Sequence, residues 1–565
     1  MILLPTLLLC AVLTMAMAIV YQAVLQDDKA PLVTLDYATF QGMYSGNLTM
    51  FLGMPFANAP IGDLRFRRPT PPSRIGGIQQ ATEFGAACPQ HALSPLPGLN
   101  FTGNYQKISE DCLTINVIAP ASKLSSVGGM PVLVLHEDAP VADLIYYFLL
   151  QGGFEIGDAT ETPVETLVER SILRGAPIMV VVPNYRLNGF GFLSGKEVSA
   201  SGVGNLGLHD QRLALQWVQD HISHFGGDPS KVTIWGSSAG AISVGMHLVS
   251  YDGDHGSLFH GAFMLSGAPM RIPSIVDGQA EYDLIVAETN CSNQRDTLTC
   301  LRKAPYDVLM TAINKTRDIF SYTSLNVPWQ PRVDGDLLRH QPYEGIINGA
   351  YAKVPTIAGA CDDEGTLFSL ANMNITTDEA FSEYIQTNYL NGISASQMEQ
   401  VLAAYPADPA AGSPFGTGDA NALTPQYKRL AAIQGDIVFQ APRRFFLQST
   451  SDLTRKWSYI NMRGKNRPMI GTGHASDIGN WFGRGNATSY FPTDALIQFT
   501  NTQDPNVAGN QSNTARTFWP QWGSTNSSHI MMFGDEDTVS VASDDFRSEP
   551  IDLLNTVLLR LPRSS

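Results

Sequence analysis

Apolar positions along this chain cluster in short β-branched runs separated by longer stretches with helical spacing. Pro131-Val-Leu-Val-Leu135, Ile178-Met-Val-Val-Val182 and Val232-Thr-Ile-Trp235 are continuous apolar runs bounded by turn residues, the pattern of strands buried on both faces. Asp210 to His221 places Leu213, Leu215, Trp217 and Val218 on one side of a helix. Gly226-Gly-Asp-Pro229 is expected to stop that helix, and Val232 to start the next strand. Strand–helix–strand alternation predicts an α/β fold, a mostly parallel central sheet with helices on both faces. No internal repeat, low-complexity tract or domain-separating linker interrupts the pattern; Pro69–Pro72 and Ala407–Ser413 read as loops.

The N-terminus departs from this pattern. Met1 to Gln26 holds no charged side chain, Ile2 to Ala18 is almost wholly apolar, and Ala16-Met17-Ala18 offers a small-x-small cleavage site. Residues 1–18 are expected to be a signal peptide and residues 19–565 one secreted domain. An N-terminal membrane anchor is the alternative, since about 20 apolar residues can span a bilayer.

Secretion changes how the six cysteines are read. Cys10 leaves with the signal, and an oxidising compartment favours two short loops, Cys88–Cys112 and Cys291–Cys300, with Cys361 left over as a buried structural thiol. Eight N-x-S/T sequons, at Asn47, Asn100, Asn290, Asn314, Asn374, Asn486, Asn510 and Asn526, fit a glycosylated surface. The balance of 36 Lys and Arg against 52 Asp and Glu, −16 overall, argues against a nucleic-acid partner because such a field repels phosphate backbones.

The sharpest local chemistry is Gly236-Ser-Ser-Ala-Gly240 between the run VTIW and the helical AISVGMHLV. G-x-S-x-G in a strand–turn–helix setting is a nucleophile elbow, with Ser238 central and Ser237 only its neighbour. Small residues at 236 and 240 permit the sharp turn, and a following helix N-terminus favours developing negative charge. A serine needs a base, and the base an orienting acid, in the chain order Ser, Asp/Glu, His. Cys361-Asp-Asp-Glu-Gly-Thr366 follows a strand-like VPTIAGA, and spacing alone leaves Asp362, Asp363 and Glu364 open. Downstream histidines are His474, in the glycine-rich Gly471-Thr-Gly-His-Ala-Ser-Asp477, and His529, in a polar stretch that reads as surface. Oxyanion donors are sought at Ala239 and at Gly152-Gly-Phe154, where paired glycines let backbone amides approach substrate.

Taken together, these residues identify a family. The chain resembles the type-B carboxylesterases and lipases, a group with cholinesterases, bile-salt-activated lipases and secreted fungal lipases. The resemblance rests on Phe51-Leu-Gly-Met-Pro-Phe56 with Leu64-Arg-Phe66, Ser109-Glu-Asp-Cys-Leu-Thr-Ile-Asn-Val117, Asn184-Tyr-Arg186 through Gly191-Phe-Leu193, Asn205-Leu-Gly-Leu208, Asp210-Gln-Arg-Leu-Ala-Leu215, Phe225-Gly-Gly-Asp-Pro229, the elbow, Asp363-Glu-Gly-Thr366 and Gly473-His474. It implies an α/β-hydrolase fold, a catalytic Ser238, Glu364 and His474, an oxyanion hole at Gly152, Gly153 and Ala239, and the same two disulfides. It implies no metal and no organic cofactor.

Two departures stand out. The family's usual Glu beside the nucleophile is Ser237 here. Residues 136–150 also separate the strand Pro131–Leu135 from Gln151-Gly-Gly-Phe154, as an atypical insertion or a gene-model error, where the family runs directly from strand to glycine turn.

The remaining patterns read as structural. His221 and His224 have metal-like spacing but no third ligand, and read as a helix-end pair. Gly189-Phe-Gly191 lacks the G-x-G-x-x-G spacing of a dinucleotide loop.

The expected substrate is a small-molecule or lipid ester, with at most transient membrane contact. Between Cys88 and Cys112 the aromatics are Phe101 and Tyr105, with no Trp to face a quaternary ammonium, and the loop carries no long amphipathic helix. The reading therefore leans to a carboxylesterase. A lipase on long-chain acylglycerols, and a catalytically impaired binding protein should 136–150 be genuine, are the alternatives.

Overall fold

The computed structural model describes residues 30–97, 99, 107–121, 129–136, 152–161, 163–450, 454–483, 490–506, 517–523 and 528–562. The N-terminal apolar segment, Phe101, Tyr105, residues 137–151 and the sequons at Asn100, Asn486, Asn510 and Asn526 lie outside them.

The described residues form fourteen strands: β1 Leu32–Thr34, β2 Thr39–Gln41, β3 Met43–Ser45, β4 Leu48–Pro55, β5 Ile78–Gln80, β6 Thr114–Pro120, β7 Met130–Leu135, β8 Met179–Pro183, β9 Gly227–Ser237, β10 Gly261–Leu265, β11 Thr356–Cys361, β12 Lys456–Asn461, β13 His529–Phe533 and β14 Val539–Ser543. Eleven of them make one sheet in the order β14-β13-β12-β11-β10-β9-β7-β8-β6-β4-β3, while β1, β2 and β5 form a small second sheet. The seven central strands from β8 to β13 pair in parallel. Antiparallel ribbons finish both edges, β14 on β13 and β6, β4 and β3 on β8. This is the α/β-hydrolase arrangement, a mostly parallel sheet with helices packed on both faces.

The period-two geometry of a strand sends alternate side chains into different cores. Val132, Val134, Val232 and Ile234 enter a core on one face, and Leu133, Leu135, Val180 and Trp235 a core on the other. That double burial is why these strands read as unbroken apolar runs.

Two boundaries differ from expectation. The helix expected from Asp210 begins at Leu206, because Asn205 adopts a left-handed conformation and its side chain is anchored to the Arg332 backbone. At the other end a turn of 3₁₀ helix, Ile222–Phe225, continues it, and β9 starts at Gly227 rather than Val232, paired with Met130 across a bulge. Of the interruption expected at residues 136–150, only His136 is among the described residues. His136 is fully buried and donates its backbone N–H to Trp235 O at 2.8 Å, directly after the end of β7.

Open parallel sheets bind ligands at the carboxyl ends of their strands, where the strand order reverses. Here β7 lies between β8 and β9, and the carboxyl ends of β9, β11 and β12 lead into the segments carrying Ser238, Glu364 and His474.

Candidate active site

Ser238 occupies the single residue between β9 and the helix α1, Ala239–Val249, at φ 53° and ψ −122°. A non-glycine residue is held there only when its surroundings over-determine it, at a cost of about 1–3 kcal/mol. Its N–H donates to Leu265 O at 2.9 Å and its carbonyl accepts from Ile242 N–H at 2.9 Å, tying the turn to β10 and to the helix. The glycine before it is sterically required, since a Cβ at Gly236 would lie 2.3 Å from the Gly240 carbonyl carbon.

Around this turn three side chains from distant segments align. His474 Nε2 lies 2.8 Å from Ser238 Oγ, and His474 Nδ1 lies 2.5 Å from Glu364 Oε2. A carboxylate at Nδ1 selects the tautomer protonated there, so the Nδ1–H donates to Glu364 and the lone pair of Nε2 accepts from the serine hydroxyl. The second carboxylate oxygen, Glu364 Oε1, accepts the Cys361 N–H at 2.6 Å. All three side chains are buried, and the aromatic rings of Phe439 and Phe368 flank the imidazole at centroid distances of 4.7 and 5.1 Å.

Of the acids left open by spacing, only Glu364 faces the histidine. Asp362 and Asp363 turn to Lys465. His529 opens β13 on the far side of β12, and the hydroxyl of Ser238 meets His474 instead.

A cavity of about 30 Å³ opens beside the serine, walled by Gly152, Gly153, Ile319, Phe320, Leu367 and Phe368. A Cβ at Gly152 would lie 3.4 Å from Ser238 Oγ, in ordinary contact, so the glycine backbone stands directly beside the hydroxyl. Gly152 and Gly153 both have positive φ, 146° and 69°. Ala239 is the first residue of the helix, where amide N–H groups have no intrahelical partner.

Sequence reasoning passed over Glu155, which follows the glycine pair. Burial pushes its carboxyl well above the usual carboxylate range, and it accepts the Ile319 N–H at 2.9 Å, fastening the glycine turn to the cavity wall. Ile319, Phe320 and Phe368 were equally invisible, because their role depends on contacts across the fold and no local motif marks them.

Both inferred disulfides are present, Cys88–Cys112 and Cys291–Cys300, and Cys361 forms none and is buried. Asn47, Asn290, Asn314 and Asn374 are exposed. His221 packs against Trp217 and Tyr37. Among the described residues no three His, Cys, Asp or Glu side chains converge as a metal group, and no helix is long and apolar enough to cross a membrane.

The model of the carboxylesterase family matches residues 29–549. Lipase 4 of Diutina rugosa is 37% identical over 96% of this chain and 99% of its own length. Secreted lipase 1 of Botryotinia fuckeliana is 38% identical over 93% of this chain and 92% of its own. Among solved structures, Aspergillus niger EstA superposes with a TM-score of 0.79 at 26% identity, covering 94% of this chain and 99% of that one.

Proposed function

This chain belongs to the carboxylesterase family, and from that premise we propose that it cleaves carboxylic esters through an acyl-enzyme formed on Ser238. Ser238 Oγ attacks the ester carbonyl while His474 Nε2 takes the hydroxyl proton, and Glu364 stabilises the imidazolium that results. The N–H groups of Gly152, Gly153 and Ala239 receive the tetrahedral oxyanion, aided by the positive end of α1. Collapse of the intermediate passes the proton from His474 to the departing alcohol. Water then repeats the sequence on the acyl-enzyme, releasing the acid and restoring Ser238.

The observation that supports this reading is the continuous chain from Ser238 Oγ through the imidazole to Glu364, at 2.8 and 2.5 Å, assembled from residues 110 and 236 positions apart. A non-catalytic binding role is opposed by the occupation of all three positions. The test is Ser238→Ala: hydrolysis of p-nitrophenyl butyrate should vanish while the melting temperature stays near that of the wild type, and undiminished turnover overturns the reading.

A second reading concerns chain length. Two relatives that match more than nine-tenths of this chain are both named lipases. That kinship favours a lipase on long acyl chains, against the lean to a carboxylesterase drawn from the Cys88–Cys112 loop. A p-nitrophenyl ester series from C2 to C16 separates the two by where kcat/KM peaks.

Secretion is part of the same proposal. It is supported by the apolar N-terminus, the exposed sequons, and relatives named as secreted lipases.

A further inference from the structure

The turn that supplies Glu364 holds two further buried carboxylates that the acyl-enzyme reading does not use. Asp363 is fully buried and saturated with donors. Its Oδ1 accepts the Phe415 N–H at 2.8 Å and the Ser413 hydroxyl at 3.1 Å, and its Oδ2 accepts the Thr472 N–H at 2.8 Å. Lys465 Nζ lies 2.9 and 2.8 Å from the two oxygens. The Asp363 N–H donates to Thr472 O at 3.0 Å, and Asp363 and Gly473 pair as an isolated parallel bridge. A Cβ on Gly471 would stand 2.6 Å from Oδ2.

Adjacent residues therefore grip one loop at two levels. Asp363 holds the backbone at 471–473, and Glu364 holds the imidazole that follows at 474. The direction of an imidazole depends on its Cα as much as on its hydrogen bonds, so a loop anchored only through the ring would let the base drift from Ser238.

Three carboxylates in one dry turn also repel each other, and the surrounding charges answer that. Lys465 bridges Asp362 and Asp363. Arg547 bonds Asp362 at 2.9 Å and Asp436 at 3.0 Å, and Tyr405 donates its hydroxyl to Asp436 at 3.0 Å. Burial works against ionisation of Asp362, but Arg547 and Lys465 outweigh it and hold the carboxyl below its ordinary range. Burial and the Asp362 charge push Asp363 upward against Lys465. The two cations leave Glu364 as the carboxylate free to serve His474.

We propose that Asp363, held by Lys465, is a positioning residue for the catalytic base, fixing the 471–473 backbone so that the His474 ring stands between Glu364 and Ser238. This rests on the acyl-enzyme reading above.

The test compares wild type, Asp363→Asn and Lys465→Met, with kcat expressed per site titrated by diisopropyl fluorophosphate. The amide of Asp363→Asn keeps the size of the side chain but must turn an NH₂ toward the Thr472 or the Phe415 N–H. Expected are a fall in kcat of about 10- to 100-fold, the scale of a small misplacement of a catalytic group, with KM within about twofold. The low-field proton resonance of the His474 Nδ1–H should weaken or move. A buried ion pair with only a structural role would lower the melting temperature and leave kcat per site and that resonance in place. A kcat within about tenfold of wild type overturns the inference. Should Asp363→Asn not fold, Lys465→Met decides by the same criterion, kcat per site at unchanged KM. Failure of the wild type itself to be titrated would instead overturn the acyl-enzyme reading.

Discussion

Replacing Glu364 by glutamine exchanges one oxygen for a nitrogen in a site that admits no third orientation. Oε1 is committed to the Cys361 N–H at 2.6 Å and Oε2 to His474 Nδ1 at 2.5 Å, both buried. If the amide oxygen keeps Cys361, its NH₂ faces Nδ1 and drives the ring proton to Nε2. The imidazole then points an N–H at Ser238 and has no lone pair to accept the hydroxyl proton. If the oxygen keeps His474, the NH₂ meets the Cys361 N–H, and a buried unsatisfied donor costs about 1–3 kcal/mol. That penalty alone leaves the competent arrangement in roughly one molecule in six to one in 150. Loss of the negative charge that stabilises the imidazolium adds to it. The sum approaches the roughly 10⁴-fold loss in kcat known when a triad carboxylate becomes an amide. Active-site-titrated hydrolysis of p-nitrophenyl butyrate, with circular dichroism to verify folding, measures this. A folded Glu364→Gln enzyme within tenfold of wild-type kcat would refute the assignment of the acid.

Three other outcomes follow from the same structure. Gly236→Ala should yield no active protein, because its Cβ would sit 2.3–2.8 Å from the backbone of Gly240 and Ala241, atoms that no rotamer change can move; soluble expression and turnover check it. Removing Cys88–Cys112, which spans 24 residues, should cost about 3 kcal/mol by loop entropy and lower the melting temperature by several degrees, and removing Cys291–Cys300, which spans 9, somewhat less. Burial holds His136 neutral, its pKa lowered to about 3, and His209 near 4. The unfolded chain thus binds more protons below pH 6.5, so stability present at neutral pH is lost as pH falls from about 6.5 toward 3, by about 1.4 kcal/mol per unit per histidine. The melting temperature of His136→Phe should fall less steeply across that interval than that of the wild type.

The strands at 131–135, 178–182 and 232–235 were legible because burial on both faces writes itself as uninterrupted apolar runs. Their ends were less so. The start of β9 at Gly227 is set by pairing with Met130, and the start of the helix at Leu206 by contacts of Asn205 with Arg332, 127 residues away. Around the serine, the elbow has a local signature because a strained turn demands glycines at fixed offsets. The acid had none: Asp362, Asp363 and Glu364 are alike in spacing, and the family resemblance alone singled out Glu364. What distinguishes them is which cation each meets, Lys465 and Arg547 for the first two, and those partners lie about 100 residues or more downstream. The cavity wall at Ile319 and Phe320, and the Glu155 carboxyl behind the glycine pair, arise from the same kind of distant packing.

The central claim is that Ser238 becomes acylated by its substrate. Intact-mass spectrometry after treatment with a fluorophosphonate, followed by peptide mapping, tests it most directly. The account predicts one adduct per chain on the peptide containing Gly236–Gly240, abolished in Ser238→Ala. An unlabelled but folded wild-type protein, or an adduct on another residue that survives in Ser238→Ala, would contradict it.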